Sequence, residues 1–140
     1  MRFWDSSAVL PLCLEEPHSG RLQELAIEDP HIVAWWGTVV ECTSAMARLR
    51  REGFLNIEQE QQVALVLDTI VTEWTEIQPS EELRRSSIQL LRHHPLRAAD
   101  ALQLAAADLW VAGRPEGNAF ICIDRRLRDA ALREGFVVLP

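Results

Sequence analysis

Short apolar runs alternate with longer helical stretches along the 140-residue chain. The runs are Phe3-Trp4, His31 to Trp35, Trp74 to Ile77, Ala119 to Ile123 and Phe136 to Leu139. They are shorter than ordinary helices and rich in the β-branched and aromatic residues that suit strands. Between them lie helical patterns over Ser6 to Glu16, Ser19 to Glu28, Thr38 to Glu52, Asn56 to Glu73, Ser80 to His94, Ala98 to Val111 and Arg125 to Glu134. Gly53, Gly113 and Gly135 stand where helices stop, and Pro95 closes the stretch ending in His93-His94. Pro11 is expected near the first turn of its helix, or to kink it. Strands joined by helices pair in parallel, and a parallel sheet needs helices on both faces. The expected architecture is therefore α/β: a three-layer α/β/α sandwich around a parallel sheet of four to five strands. It forms a single domain over residues 1–140, with no repeat or linker.

Composition narrows the function. The net charge is −7, so a global basic field for gripping nucleic acid is absent. Bound metal ions can nevertheless invert the local charge of an acidic site. All 14 basic residues are Arg, a preference that base composition of the genome explains at least as well as phosphate binding. Cys13, Cys42 and Cys122 are odd in number and widely spaced, matching neither a disulfide framework nor a zinc site. No stretch reaches the ~20 apolar residues of a membrane helix, and no signal-peptide pattern opens the chain. The expected setting is soluble and cytoplasmic.

In a parallel sheet, ligands bind beyond the carboxyl ends of the strands. Four acids fall there. Asp5 follows the first run and Asp124 the fourth. Glu41 lies in the first turn after the second run, and Asp100 near the start of the Ala-rich helix. Each has a local explanation. Asp5 and Asp124 fit helix N-caps, Thr38 and Glu41 fit a capping box, and Asp100 suits a helix's positive end. Jointly they are less easily dismissed, because the topology brings these helix starts to one edge. Clustered carboxylates raise one another's pKa and are relieved by a divalent cation. All-oxygen ligands suit Mg²⁺ or Mn²⁺, and the lack of His or Cys at these positions argues against zinc.

The segments around these acids resemble PIN-domain proteins. Phe-Trp-Asp-Ser-Ser-Ala-Val-Leu (3–10) is similar to the family's opening strand and turn, and Val-Val-Glu-Cys-Thr-Ser-Ala (39–45) to its second acidic motif. The third motif resembles His-Pro-Leu-Arg-Ala-Ala-Asp-Ala-Leu-Gln-Leu-Ala-Ala-Ala (94–107), and the fourth Ile-Cys-Ile-Asp-Arg-Arg-Leu (121–127), followed by Glu-Gly-Phe-Val-Val-Leu (134–139). The resemblance runs through the chain in order and is greatest to the small VapC-type toxins of bacterial toxin–antitoxin pairs.

It implies a PIN-like fold and a metal-dependent ribonuclease using Mg²⁺ or Mn²⁺. Asp5, Glu41, Asp100 and Asp124 match the family's metal-site acids, with Asp5 and Asp100 the first choices as direct ligands and Ser6 in support. Cys122 stands where the family often carries Ser or Thr. The implied partners are an RNA substrate (tRNA or another structured RNA), a cognate antitoxin and a second copy of the chain. Arg48, Arg97 and Arg128 are candidates for the RNA backbone, or for exposed, salt-bridged helix faces. Arg128 stands four residues after Asp124 and could pair with it; Arg126 is read as solvated. The stripe Val63, Val66, Leu67, Ile70 and Val71 is read as core, with an antitoxin groove as the other reading. Trp35 and Trp36 cannot both face inward from one strand, leaving one for the surface. His93 and His94 read as a helix end and Cys42 as a small buried residue. The competing functions are a non-catalytic PIN-like binding module and a free-standing RNA-processing nuclease. Phosphatase, receiver and nucleotide-binding signatures are absent.

Overall fold

The structure, a computed structural model, describes residues 1–140. The elements are β1 (Arg2–Trp4), α1 (Ser6–Cys13), α2 (Ser19–Glu28), β2 (Ile32–Trp35), α3 (Thr38–Arg51), α4 (Ile57–Glu73), β3 (Thr75–Ile77), α5 (Glu81–His93), α6 (Ala98–Trp110), β4 (Ala119–Ile121), α7 (Arg125–Glu134) and β5 (Val137–Leu139). The five strands form one sheet in the order β3-β2-β1-β4-β5. Every neighbouring pair is parallel. No helix is long and apolar enough to cross a membrane.

The pleat divides the core in two. Phe3, Val33, Trp35 and Phe120 face one side, where they pack with Leu83 and Leu90 of α5, Leu104 of α6 and Leu127 of α7. Trp4, Ile32, Ala34 and Ile121 alternate with them and face α1 to α4. The rings of Phe3 and Phe120, on paired strands, stack 5.3 Å apart. Successive side chains on a strand point to opposite faces, so two apolar layers arise from runs only three or four residues long. The result is the expected α/β/α sandwich.

Connections from β1 run through β2 to β3 in one direction, and that from β4 runs to β5 in the other. The two sets of helices lie on opposite faces, as right-handed crossovers require. The direction reverses between β1 and β4, which is where an open α/β sheet leaves a crevice.

Several expectations need correction. Helix α1 ends at Cys13 rather than Glu16, and Pro11 lies inside it. The Ser19 hydroxyl donates to the carbonyls of Pro11 and Leu14 and accepts from the Glu16 amide, building a tight corner into α2. Strand β4 ends at Ile121, so Asp124 lies three residues beyond it, although the Cys122 amide still donates to Leu139. Thr38 and Glu41 form no capping box: Gly37 is the cap residue of α3 and offers no side chain. In α4 only Val63 and Leu67 are fully buried, while Val66 and Leu65 are exposed. The buried stripe is thus narrower than its spacing suggests.

Candidate active site

Asp5 leaves the end of β1 with its side chain buried. Its amide donates to Ile121 of β4, which holds it at the reversal point. The carboxylate caps α1 by accepting from the Ser7 amide at 3.0 Å. The Ser7 hydroxyl donates to the same oxygen at 2.5 Å and accepts from the amides of Ile123 and Asp124. Ser7 therefore ties the β1–α1 turn to the β4–α7 turn. The Cys122 thiol adds a longer contact to Asp5 Oδ2 at 3.4 Å, taking the place of the hydroxyl that the resemblance implied.

Glu41 reaches the same place from α3. Its Oε2 accepts from the Ser6 hydroxyl at 2.8 Å, and Ser6 Oγ lies 3.4 Å from Asp5 Oδ1. Its Oε1 accepts from Gln103 Nε2 at 3.1 Å. Gln103 is wholly buried on α6 and also donates to Thr38 Oγ1. A lone amide on an otherwise apolar helix face is readable in sequence, because a buried amide must find partners; Gln103 was missed there. Ser7 gave no comparable signal.

Asp100 and Asp124 complete the arrangement. Asp100 Oδ2 accepts from the Arg97 amide, and Asp124 Oδ1 accepts from the Leu127 amide, each at a helix start. Both local explanations hold, yet each carboxylate keeps its other oxygen free of protein partners. As the side chains stand, no three His, Cys, Asp or Glu groups close on a common point. The four acids share one edge of the sheet without forming a ready-made cage.

Electrostatics link them. Burial pushes the Asp5 carboxyl above its ordinary range, against the pull of its Ser7 and Cys122 donors. Burial likewise lifts Glu41 to about 7; the Ser6 donor opposes this, the charges of Asp5 and Asp100 add to it, and the Gln103 donor opposes it. Asp100 is raised chiefly by burial and further by the charge of Asp124, with the Arg97 amide and the Arg97 and Arg126 guanidinium groups opposing. Arg126, read from sequence as solvated, thus stands within the field of the site.

A cleft of about 370 Å³ opens beside Ser6 and Glu41, with Asp124, Arg48 and His18 on its walls. Arg48 and Arg97 are exposed and make no salt bridge within 4.0 Å. Arg128 does not pair with Asp124. Its guanidinium donates to the carbonyls of Cys122 and Pro140 and braces the C-terminus. Trp35 is buried and Trp36 half exposed, as the strand argument required. His94 ends α5 and contacts Glu134, away from the acids.

The donor set fits a hard divalent cation. It offers only oxygen at Asp5, Glu41, Asp100 and Asp124, and burial makes three of the four hold protons more tightly than usual.

No family model matches the sequence, and no curated protein matches it significantly. Solved structures do. Mycobacterium tuberculosis VapC20, described as a Sarcin-Ricin loop cleaving toxin, superposes with a TM-score of 0.70 at 15% identity, over 98% of this chain and 97% of that one. FitAcB from Neisseria gonorrhoeae gives 0.68 at 15% identity, over 100% and 97%. A toxin–antitoxin complex from Klebsiella pneumoniae gives 0.65 at 19% identity, over 100% and 97%. The chain has the PIN-like α/β fold of these structures, with Asp5 and Asp124 following the two strands that flank the reversal of strand order.

Proposed function

We propose that the chain is a metal-dependent endoribonuclease that hydrolyses RNA phosphodiesters, and that it is the toxin of a toxin–antitoxin pair. The observation that carries this reading is the gathering of Asp5, Glu41, Asp100 and Asp124, from four separate helix starts, at one edge of the sheet, with Asp5, Glu41 and Asp100 raised in pKa. The fold likeness to toxins, one of them described as cleaving the Sarcin-Ricin loop, supports the substrate class.

Asp5, Asp100, Asp124 and Glu41 would hold Mg²⁺ or Mn²⁺, which when bound activates water and stabilises phosphoryl charge. Asp5 and Asp100 are the direct ligands of this reading. Glu41, near pKa 7, orients the attacking water and accepts its proton at a carboxylate oxygen. Ser6 and Gln103 hold that carboxylate from either side. Asp124 binds directly or through water. Arg48 and Arg97 meet the RNA backbone; Arg128 drops out, because its guanidinium donates to main-chain carbonyls. A cognate antitoxin and a second copy of the chain are the protein partners, and the bacterial cytoplasm the setting. Val40, Ile57, Leu65 and Val66 are exposed apolar side chains available to such contacts.

The test is paired induction of the wild type and Asp100→Asn in bacteria, with growth scored and new RNA ends mapped. Arrest with discrete cuts for the wild type alone is expected. Equal cutting by both would overturn the site assignment. Cuts without arrest would leave a free-standing processing nuclease.

A further inference from the structure

We propose that Trp36 and the groove beneath it form a nucleobase-stacking subsite for single-stranded RNA, placed beside the acids. This rests on the ribonuclease reading above and adds to it a determinant of substrate preference. The groove measures about 390 Å³ and is lined by Trp35, Trp36, Pro79, Leu83 and Leu102, with the polar Ser80, Glu81 and Arg84 at its edge. It falls at the small end of ligand-sized clefts, roughly 300–1,000 Å³. Its floor is apolar and belongs to the core: Trp35 and Leu83 are buried.

Trp36 is half exposed, yet it does not sit on a loose loop. Its amide donates to the carbonyl of Ile77 at 3.0 Å, extending the β2–β3 pairing by one residue. Its ring meets Trp35 edge-on, with centroids 6.2 Å apart and planes at 67°. Gly37 follows, and a Cβ there would collide with the Trp35 indole nitrogen. The Trp35 ring is thus folded back over the turn by a residue with no side chain, leaving Trp36 free to point outward. An aromatic surface already held in place loses little entropy on binding.

The occupant follows from position and chemistry. Leu102, on the groove wall, shares the first turns of α6 with Asp100 and with Gln103, the donor to Glu41. At about 100° per residue, Leu102 and Asp100 project from opposite sides of that helix. The groove and the acids therefore flank one helix start, and Trp36 stands two residues before Thr38, which accepts from the same Gln103 amide as Glu41. Arg84 brings a cation to the rim, balanced by its pairing with Glu81. A flat, uncharged partner with an apolar face and polar edges matches such a groove; a base meets that description, and every base has a stacking face.

The test measures binding of labelled single-stranded RNA octamers by anisotropy in Mg²⁺ buffer. The Asp100→Asn background stops cleavage. Stacking predicts that adding Trp36→Ala weakens binding about five- to 150-fold, that Trp36→Phe retains most of the affinity, and that RNA quenches tryptophan emission less in both. Equal affinity of the three proteins, or no binding by any, overturns the proposal. Quenching by a purified antitoxin but not by RNA overturns it too, and assigns the groove to a protein. Residual cutting by the Asp100→Asn background would instead count against the catalytic reading, leaving the binding comparison intact.

Discussion

The Ser6 hydroxyl donates to Glu41 Oε2 across 2.8 Å, joining the turn after β1 to the first turn of α3. This bond favours the ionised carboxylate, so it holds the Glu41 pKa below the value burial alone would set. Ser6→Ala should therefore move the Glu41 titration upward from about 7. The acid limb of the rate–pH profile should follow it to higher pH, with a larger loss of activity at pH 6 than at pH 8.5. Stability should fall by about 0.5–1.5 kcal/mol, the ordinary net worth of one hydrogen bond. A profile with an unmoved midpoint would separate Ser6 from the chemistry.

The same raised pKa values make the metal-free protein sensitive to alkali. Glu41 ordinarily titrates near 4.5 and here near 7, so between these values the folded state binds more protons than the unfolded. Stability must then fall as pH rises through that window, and Asp5 and Asp100 act in the same direction. Mg²⁺ should reverse the trend by binding the ionised acids. At a hundred times its Kd a ligand adds ~2.7 kcal/mol, about 10 °C in Tm at a few degrees per kcal/mol for a domain of this size. Thermal melts with and without Mg²⁺ at pH 5 and pH 8 check both statements. The metal increment should be large at pH 8 and small at pH 5.

The strands and helices were legible in sequence because their apolar periods differ, and Gly53 and Gly135 marked helix ends that the structure places in left-handed conformations. The four acids were legible as a set because topology alone sends strand ends to one edge. What held them was not. Ser7 bonding across to Asp124 and Gln103 bonding across to Glu41 span 117 and 62 residues, and no local pattern reports such distances. The capping-box reading of Thr38 and Glu41 failed because α3 starts one residue earlier, at a Gly37 cap, and Glu41 accepts from Ser6 and Gln103 instead. Arg128 at i+4 from Asp124 met its spacing requirement, yet main-chain carbonyls claimed it.

Gln103 links Glu41 to Thr38 through one buried amide, with Nε2 donating at 3.1 Å to each. Gln103→Leu keeps much of the volume and removes both bonds. Leaving the buried Thr38 oxygen and the half-buried Glu41 oxygen without that donor should cost about 1–3 kcal/mol each at most. Urea unfolding checks the loss. Because Gln103 also lowers the Glu41 pKa, the deficit should be greater at pH 8 than at pH 5. A deficit equal at both values would mean that Gln103 supports packing alone.

Gly37 adopts φ −74°, which any residue can adopt, so its requirement is steric. Gly37→Ala would press a methyl group into the Trp35 indole. Trp35 cannot move freely, because it is packed in the core with Leu83 and Leu104. Overpacking of this kind costs about 1–3 kcal/mol. Denaturant titration should show that loss, and the emission spectrum should shift as the indole is displaced. Pairing the substitution with Trp35→Phe, which clears the indole nitrogen, should recover part of it.

Cys122 puts a thiol where a hydroxyl was expected, and its surroundings decide what that thiol does. It is fully buried, and burial together with the Asp5 charge pushes its pKa far above the ordinary range. It therefore stays protonated and serves as a weak donor to Asp5. Cys42 is buried and raised in the same way, and burial lifts Cys13 to about 11. Thiolate is the reactive form, so all three should resist a thiol reagent at pH 8 until the protein is unfolded. Cys122→Ser supplies a stronger donor in the same position, lowering the Asp5 pKa and preserving activity. Cys122→Ala supplies none. Its Asp5 carboxyl should titrate higher still, and its deficit in Tm against the wild type should widen from pH 5 to pH 8. Serine and alanine variants with the same pH dependence would show that the Cys122 thiol fills space beside Asp5 without holding its charge.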